Sequence, residues 1–217
     1  MIHPHTEIRF INDAVGYGVV ATRAIPKGTI TWVLDRLDRF FTRKQIHSME
    51  PLYRDVLCKY TYRNAEGDYI LCWDNARFIN HSSEPNCITS AYEFEFAVRD
   101  IHPGEELTDD YGYLNIEDPF EASGTSAGGR KTVYPDDFVR LHFDWDAQLL
   151  GAFSYFDRVD QPLLVLLGDG LREKVKRISS GKEKMDSILH CYTGRHALTH
   201  RARRILKKRH DNVIYPF

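Results

Sequence analysis

Long apolar runs are missing from this chain. The longest purely aliphatic one, Leu163 to Leu167, falls far below the roughly 18 residues that suggest a membrane span. The opening residues, Met1-Ile2-His3-Pro4-His5-Thr6-Glu7, have neither the basic nor the apolar region of a signal peptide. Cysteine is scarce: Cys58, Cys72, Cys87 and Cys191 are widely spaced and form no C-x-x-C pair. That argues against a disulfide framework and against a self-evident zinc site. These absences lead us to expect a soluble intracellular protein, cytoplasmic or nuclear, with reduced thiols and no membrane partner. Internal repeats and long low-complexity tracts are absent too. The 217 residues fit one generous domain, or a compact domain with an appendage.

Charge is nearly balanced overall, at a formal −2, but unevenly spread. Seven of the 29 basic residues lie between Arg195 and His210, a stretch without acids, which leaves 22 basic against 31 acidic residues elsewhere. An acidic body favours encounter with basic partners; the plainer reading is that the charge keeps the protein in solution. The basic segment carries Leu198, Ala202, Ile205 and Leu206 on one face of an expected final helix. Arg201, Arg203, Arg204, Lys207, Lys208 and Arg209 on it can meet nucleic-acid phosphates, an acidic protein patch or an import receptor, or form a solvated face.

The first hundred residues read as short strands. Ile8–Phe10, Val19–Thr22, Thr29–Leu34, and Thr61–Arg63 with Asp68–Trp73 are separated by turn residues, the last two by the hairpin turn Asn64-Ala65-Glu66-Gly67. Helical spacing runs through Ile46, Met49, Tyr53, Val56, Leu57 and Tyr60, with Pro51 opening a new turn. Tyr92, Phe94, Phe96 and Val98 alternate with Glu93, Glu95, Ala97 and Arg99, which predicts a half-buried strand. Beyond Pro135 the pattern becomes helical. Phe138, Leu141, Trp145 and Leu149 share one face, Pro162–Leu167 begins another helix, and Asp169 is a candidate N-cap. A last short helix spans Met185 to Tyr192, with Gly194 as its stop.

Two polar segments stand apart. Arg77-Phe78-Ile79-Asn80-His81-Ser82-Ser83-Glu84-Pro85-Asn86 is too polar and constrained for an ordinary turn. Gly104-Glu105-Glu106-Leu107-Thr108-Asp109-Asp110-Tyr111-Gly112-Tyr113 delivers a tyrosine at the end of a strand-like run. Upstream lies Gly16-Tyr17-Gly18. In this order the three elements resemble the signature motifs of the SET-domain protein lysine methyltransferases, over about Thr6 to Asn115.

The resemblance implies a mainly β fold with α elements, built of small curved β-sheets with a pseudoknot and followed here by a C-terminal helical extension. The expected organisation is a SET domain over 6–115, a flexible linker over 116–134 and a helical region over 135–217. The implied cofactor is S-adenosyl-L-methionine, with Gly16, Tyr17, Gly18, Asn80, His81 and Tyr111 as its binding residues. Tyr111 is the implied catalytic tyrosine. Tyr69, Trp73, Asp109 and Tyr113 are candidates for the substrate channel; core packing is an equal reading for the three aromatic ones. Arg77 and Phe78 are read as loop supports. Glu105 and Glu106 are adjacent, point to opposite faces and are read as structural carboxylates.

Two departures from the family pattern matter. Many relatives carry four zinc-binding cysteines, whereas Ser83, Ala122, Gly124 and Gly129 stand at the matching positions here, so no metal is expected. The apolar faces around Phe138 and Trp145 are the expected cover for the channel mouth. Asp109 stands where relatives place Phe or Tyr, which leaves the number of methyl groups added open. The implied function is transfer of a methyl group to a lysine of a basic protein segment, such as a histone. The alternative is a catalytically weak or inactive cofactor-binding module that acts through protein–protein contacts.

Overall fold

The computed structural model describes residues 1–122 and 129–196. Strands β1 (Thr6–Asn12) and β2 (Gly16–Ala21) form an antiparallel hairpin with a register shift between Phe10 and Asn12. Gly16 ends that turn at φ +78°, a conformation that costs a glycine nothing. Next come β3 (Ile30–Val33) and β4 (Arg39–Phe41). The helical spacing over 46–60 resolves into two helices, α1 (Arg43–His47) and α2 (Pro51–Tyr60). Thr42 and Gln45 form a reciprocal cap on α1, and Pro51 opens α2 where a backbone N–H is not needed.

β5 (Thr61–Arg63) and β6 (Tyr69–Leu71) make the expected hairpin and pair with β4 in the order β4-β6-β5. The chain continues through β7 (Asn80–His81), β8 (Cys87–Thr89), β9 (Phe94–Ala97) and β10 (Thr108–Asp109). A three-stranded sheet runs β3-β9-β8, and β10 lies parallel to β7. The short strands β11 (Phe120–Glu121) and β12 (Thr132–Val133) pair antiparallel within the segment read as a linker. Helices α3 (Asp137–Phe153) and α4 (Asp169–Ser179) follow.

The largest core joins the β3-β9-β8 sheet to the C-terminal helices. Phe153 of α3 meets Phe96 of β9 edge-on at 4.8 Å, and Trp145 meets Tyr113 at 5.1 Å. Phe138 and Trp145 are core residues rather than a cover for a channel mouth, because the helical face they share is buried on this sheet. The alternation read for β9 also needs correction. All four of its residues are buried, since α3 covers one face and the segment carrying β10 covers the other.

Gln161 reaches back to the edge of β3. Its Oε1 accepts from the Ile30 N–H at 2.9 Å and its Nε2 donates to the Gly28 carbonyl at 2.7 Å. Asn115 adopts φ +54° and ties the end of β5 to the C-terminal segment, donating to the carbonyls of Arg63 and Cys191.

Several helical expectations are shortened. Pro162–Leu167 yields a single 3-10 turn at Leu164–Leu166, and the cap of α4 is Gly168, with Asp169 as its first residue. Met185–Tyr192 gives one 3-10 turn, Ile188–Cys191, and Gly194, read as its stop, falls inside a further turn at Thr193–His196. Buried Asp146 holds this segment, accepting from Ser187 Oγ at 2.6 Å and from the Ile188 N–H at 2.8 Å. The expected basic helix from Leu198 to Leu206 lies outside the described residues.

Candidate active site

The parallel pairing of β7 with β10 places Asn80 beside Thr108 and His81 beside Asp109. Chain direction is then shared, so the residues leaving both strands emerge together. Ser82 N–H donates to the Asp109 carbonyl at 2.8 Å, and the Tyr111 N–H donates to His81 Nδ1 at 3.1 Å. The rings of His81 and Tyr111 lie 5.5 Å apart, and Phe120 on β11 closes over both at 5.4 and 5.7 Å. Burial lowers the His81 pKa, with Arg130 assisting against the pull of Asp110. The ring is therefore neutral at neutral pH. Its Nε2 is buried without a partner.

Gly18 lies against this group. A Cβ on it would stand 2.1 Å from Glu106 Oε1 and 2.9 Å from Asn80 Nδ2. Asn80 Nδ2 itself donates to the Tyr17 carbonyl at 3.0 Å and to Glu106 Oε1 at 2.7 Å. Gly18, Asn80, His81, Tyr111 and the Tyr17 carbonyl are thus brought together, whereas Gly16 lies at the hairpin turn opposite Asn12 and the exposed Tyr17 ring packs on Phe10. Glu105 turns the other way, toward Arg99 and His102, as adjacent strand residues must.

On the far side of Tyr111 lies a cavity of about 340 Å³. Its outer wall carries Tyr69, Glu117 and Asp118; its inner wall carries Trp32, Tyr62, Glu95 and Asp109. The Tyr69 hydroxyl donates to Glu117 at 2.9 Å. Tyr111 belongs to both sides. Its hydroxyl donates to the Ile79 carbonyl at 2.7 Å. Burial, then the Asp109 and Glu106 charges, pushes its pKa well above the usual phenol range.

Two channel candidates lie elsewhere. Trp73 is 43% exposed and its Nε1 donates to Asp35, because Asp35 outside the cavity is its available acceptor. Tyr113 is fully buried against Trp145, its hydroxyl donating to the Cys87 carbonyl at 3.1 Å. Arg77 Nη1 donates to the Trp73 carbonyl at 2.8 Å, supporting the loop.

Residues 16–112 match the family model described as SET domain. This segment is a SET domain. Among curated relatives, the SET region is similar to Histone-lysine N-methyltransferase ash1 of Drosophila melanogaster, 31% identical over 117 residues. Histone-lysine N-methyltransferase Set2 of the same organism is 27% identical over 117 residues. Each match covers 48% of this chain and 5% of the relative. A Variant-silencing SET domain-containing protein of Plasmodium falciparum is 30% identical over 123 residues, or 50% of this chain and 5% of the relative. The chain thus spans about one-twentieth of the length of these relatives.

Four further residues bear on the candidate site, of which the sequence singled out only Glu106, and that as a structural carboxylate. Glu106 sits against Gly18 and Asn80, and Glu95 lines the inner cavity. Just beyond the SET domain, Phe120 covers His81. Arg130 anchors the hairpin that carries Phe120: its Nη2 lies 2.5 Å from Asp110 Oδ1. Its Nε is 3.2 Å from Asp137 Oδ2, an ion pair by distance although the N–H is not aimed to hydrogen-bond. Glu106 was visible in principle, since its motif neighbours were already assigned; the other three needed contacts across the fold.

The packing at Gly18 makes one variant informative. In Gly18→Ala the methyl group must displace the Glu106 and Asn80 side chains. Both displaced contacts are side-chain ends, so the fold should survive. Losing about one charged hydrogen bond here would weaken a ligand held on this face roughly tenfold, which titration calorimetry with S-adenosylmethionine would record. Unchanged affinity would remove this face from the site.

Proposed function

We propose that the SET domain transfers a methyl group from S-adenosylmethionine to a lysine side chain of a basic protein. The observation that carries this reading is the position of Tyr111, between the Gly18–Asn80–His81 group and the 340 Å³ cavity. A donor held on one side and an amine entering from the other would meet beside its hydroxyl. The residues suit such a cofactor. Asn80 Oδ1, the Glu106 carboxylate and unpartnered His81 Nε2 provide polar contacts, while Phe120 supplies an aromatic wall. When bound, S-adenosylmethionine supplies a methyl group activated by its sulfonium.

Tyr111 acts as a phenol throughout. Its raised pKa keeps the proton, and that proton is committed to the Ile79 carbonyl. Only the oxygen lone pairs remain for the cavity, so Tyr111 orients an incoming amine as an acceptor. Alignment of this kind is the main demand of an in-line displacement. Phe120 and the buried rings exclude water from the transfer point. Glu117 at the outer wall is already paired with Arg63 and Arg43, so attraction of a basic segment rests on the acidic excess of the body as a whole.

The test pairs two measurements. Calorimetry with S-adenosylmethionine is expected to show one site per chain, and methyl-labelled cofactor with a mixed protein pool is expected to label lysines identified by mass spectrometry. Uptake without transfer would favour a binding module. No uptake by folded protein would overturn the reading.

A further inference from the structure

The buried end of the cavity holds two acids. Glu95 comes from β9 and Asp109 from β10, and both line the cavity beside Trp32. They are only 6% and 5% exposed. Glu95 Oε2, Asp109 Oδ1 and Trp32 Nε1 have no hydrogen-bond partner. Two buried carboxylates in contact cannot both be ionised, because like charges in a poorly solvated site repel and neither is hydrated. One proton between them satisfies an oxygen on each. Burial, and next the Asp109 charge, raises the Glu95 carboxyl well above the ordinary range. Burial raises Asp109 to about 7, against the lowering influence of the neighbouring Tyr113 and Glu95 side chains.

We infer that Glu95 and Asp109 form a one-proton acid pair that receives the ammonium end of the target side chain and takes up its proton, leaving a neutral amine. The inference rests on the reading of this cavity as the amine channel. One N–H bond of the ammonium breaks and one O–H bond forms on the singly ionised pair. A buried cation and a buried anion become an amine and two carboxylic acids, so the step leaves no net charge at the cavity end. A lysine ammonium, with its usual pKa near 10.4, must lose this proton before it can act as a nucleophile.

The neighbouring groups are poor alternatives. Burial pushes the pKa values of Tyr62 on β5, Cys72 after β6, Cys87 on β8 and Tyr111 upward. Thr89 on β8 hydrogen-bonds Glu95, the Met1 amino group favours its ionised form, and Asp110 opposes ionisation of Asp109. Glu95 is thus assigned as a residue that touches substrate.

The probe is n-butylamine, which is an ammonium ion at the pH values used and matches the end of a lysine side chain. Binding is followed by NMR of protein carrying carbon-13 at Asp and Glu carboxyls. Below about pH 7 the pair is fully protonated, and above it one charge appears. Affinity for n-butylammonium is therefore expected to rise about tenfold between pH 6 and pH 8, with the Asp109 and Glu95 carboxyl signals shifting together. In Glu95→Gln/Asp109→Asn the pH dependence should vanish and affinity fall tenfold or more, while S-adenosylmethionine binds as before. Amine binding that does not depend on pH, or wild-type affinity in the double variant, would overturn the assignment. If that variant fails to fold, the wild-type titration decides alone. Absence of cofactor binding by the wild type would instead overturn the methyl-transfer reading, and the amine titration would still judge the acid pair.

Discussion

Tyr111→Phe is expected to lower methyl transfer about 10²–10³-fold, the usual cost of removing one positioned polar group at a reacting centre. The ring stays, so its contacts with His81 and Phe120 and the shape of the cavity stay as well. Cofactor affinity should change less than about threefold, placing the loss in kcat rather than in binding. The missing hydroxyl also leaves the Ile79 carbonyl without its donor, a stability cost of about 1 kcal/mol. Single-turnover kinetics with calorimetry on the same sample separate these effects. A parallel drop in cofactor affinity and transfer would make Tyr111 a binding residue; undiminished transfer would remove it from the chemistry.

Arg130→Met should produce the largest loss of stability. Asp110 and Asp137 each have side chains only 2% exposed, and Arg130 lies against both. Asp110 keeps its acceptance from the Gly112 N–H, and Asp137 keeps Arg140 at 3.6 Å and the Tyr134 N–H. Asp110 is left without a cation, and Asp137 with only the exposed Arg140. Breaking a buried ion pair by removing one partner costs about 3–5 kcal/mol, and the 22% exposure of Arg130 argues for the lower figure. Tm should drop by roughly 6–12 °C for a chain of this size. The Asp110→Asn/Arg130→Met pair should recover part of that, because an amide needs no cation. A shift under 2 °C would show that the guanidinium is idle. The same variant loosens the hairpin carrying Phe120, so cofactor affinity should weaken as well.

The motif-borne part of the candidate site could be read because it is local. Gly18, Asn80, His81 and Tyr111 came from a resemblance carried by short continuous segments. Glu95 was not legible for a physical reason. Alternation along β9 assigns it to solvent, and only β10, arriving later in the chain, covers that face. Trp73 shows the converse: an aromatic residue beside the motif satisfied its N–H with Asp35, outside the channel. The helical face of Phe138 and Trp145 was readable, but its destination was not. The missing zinc cysteines could be read from the chain, whereas Arg130 as a tether required Asp110 and Asp137 to meet in space.

Gln161 carries a consequence for how the protein is made. It caps the Ile30 N–H from 131 positions away, on a strand at the edge of its sheet. At ordinary elongation rates that interval is roughly 7–26 s. Throughout it the Ile30 N–H of a nascent chain lacks this acceptor, while Ile2 and His3 already cover the remainder of that edge beside Thr31 and Trp32. A product terminated before Gln161 leaves that one N–H, buried in the finished protein, without its partner.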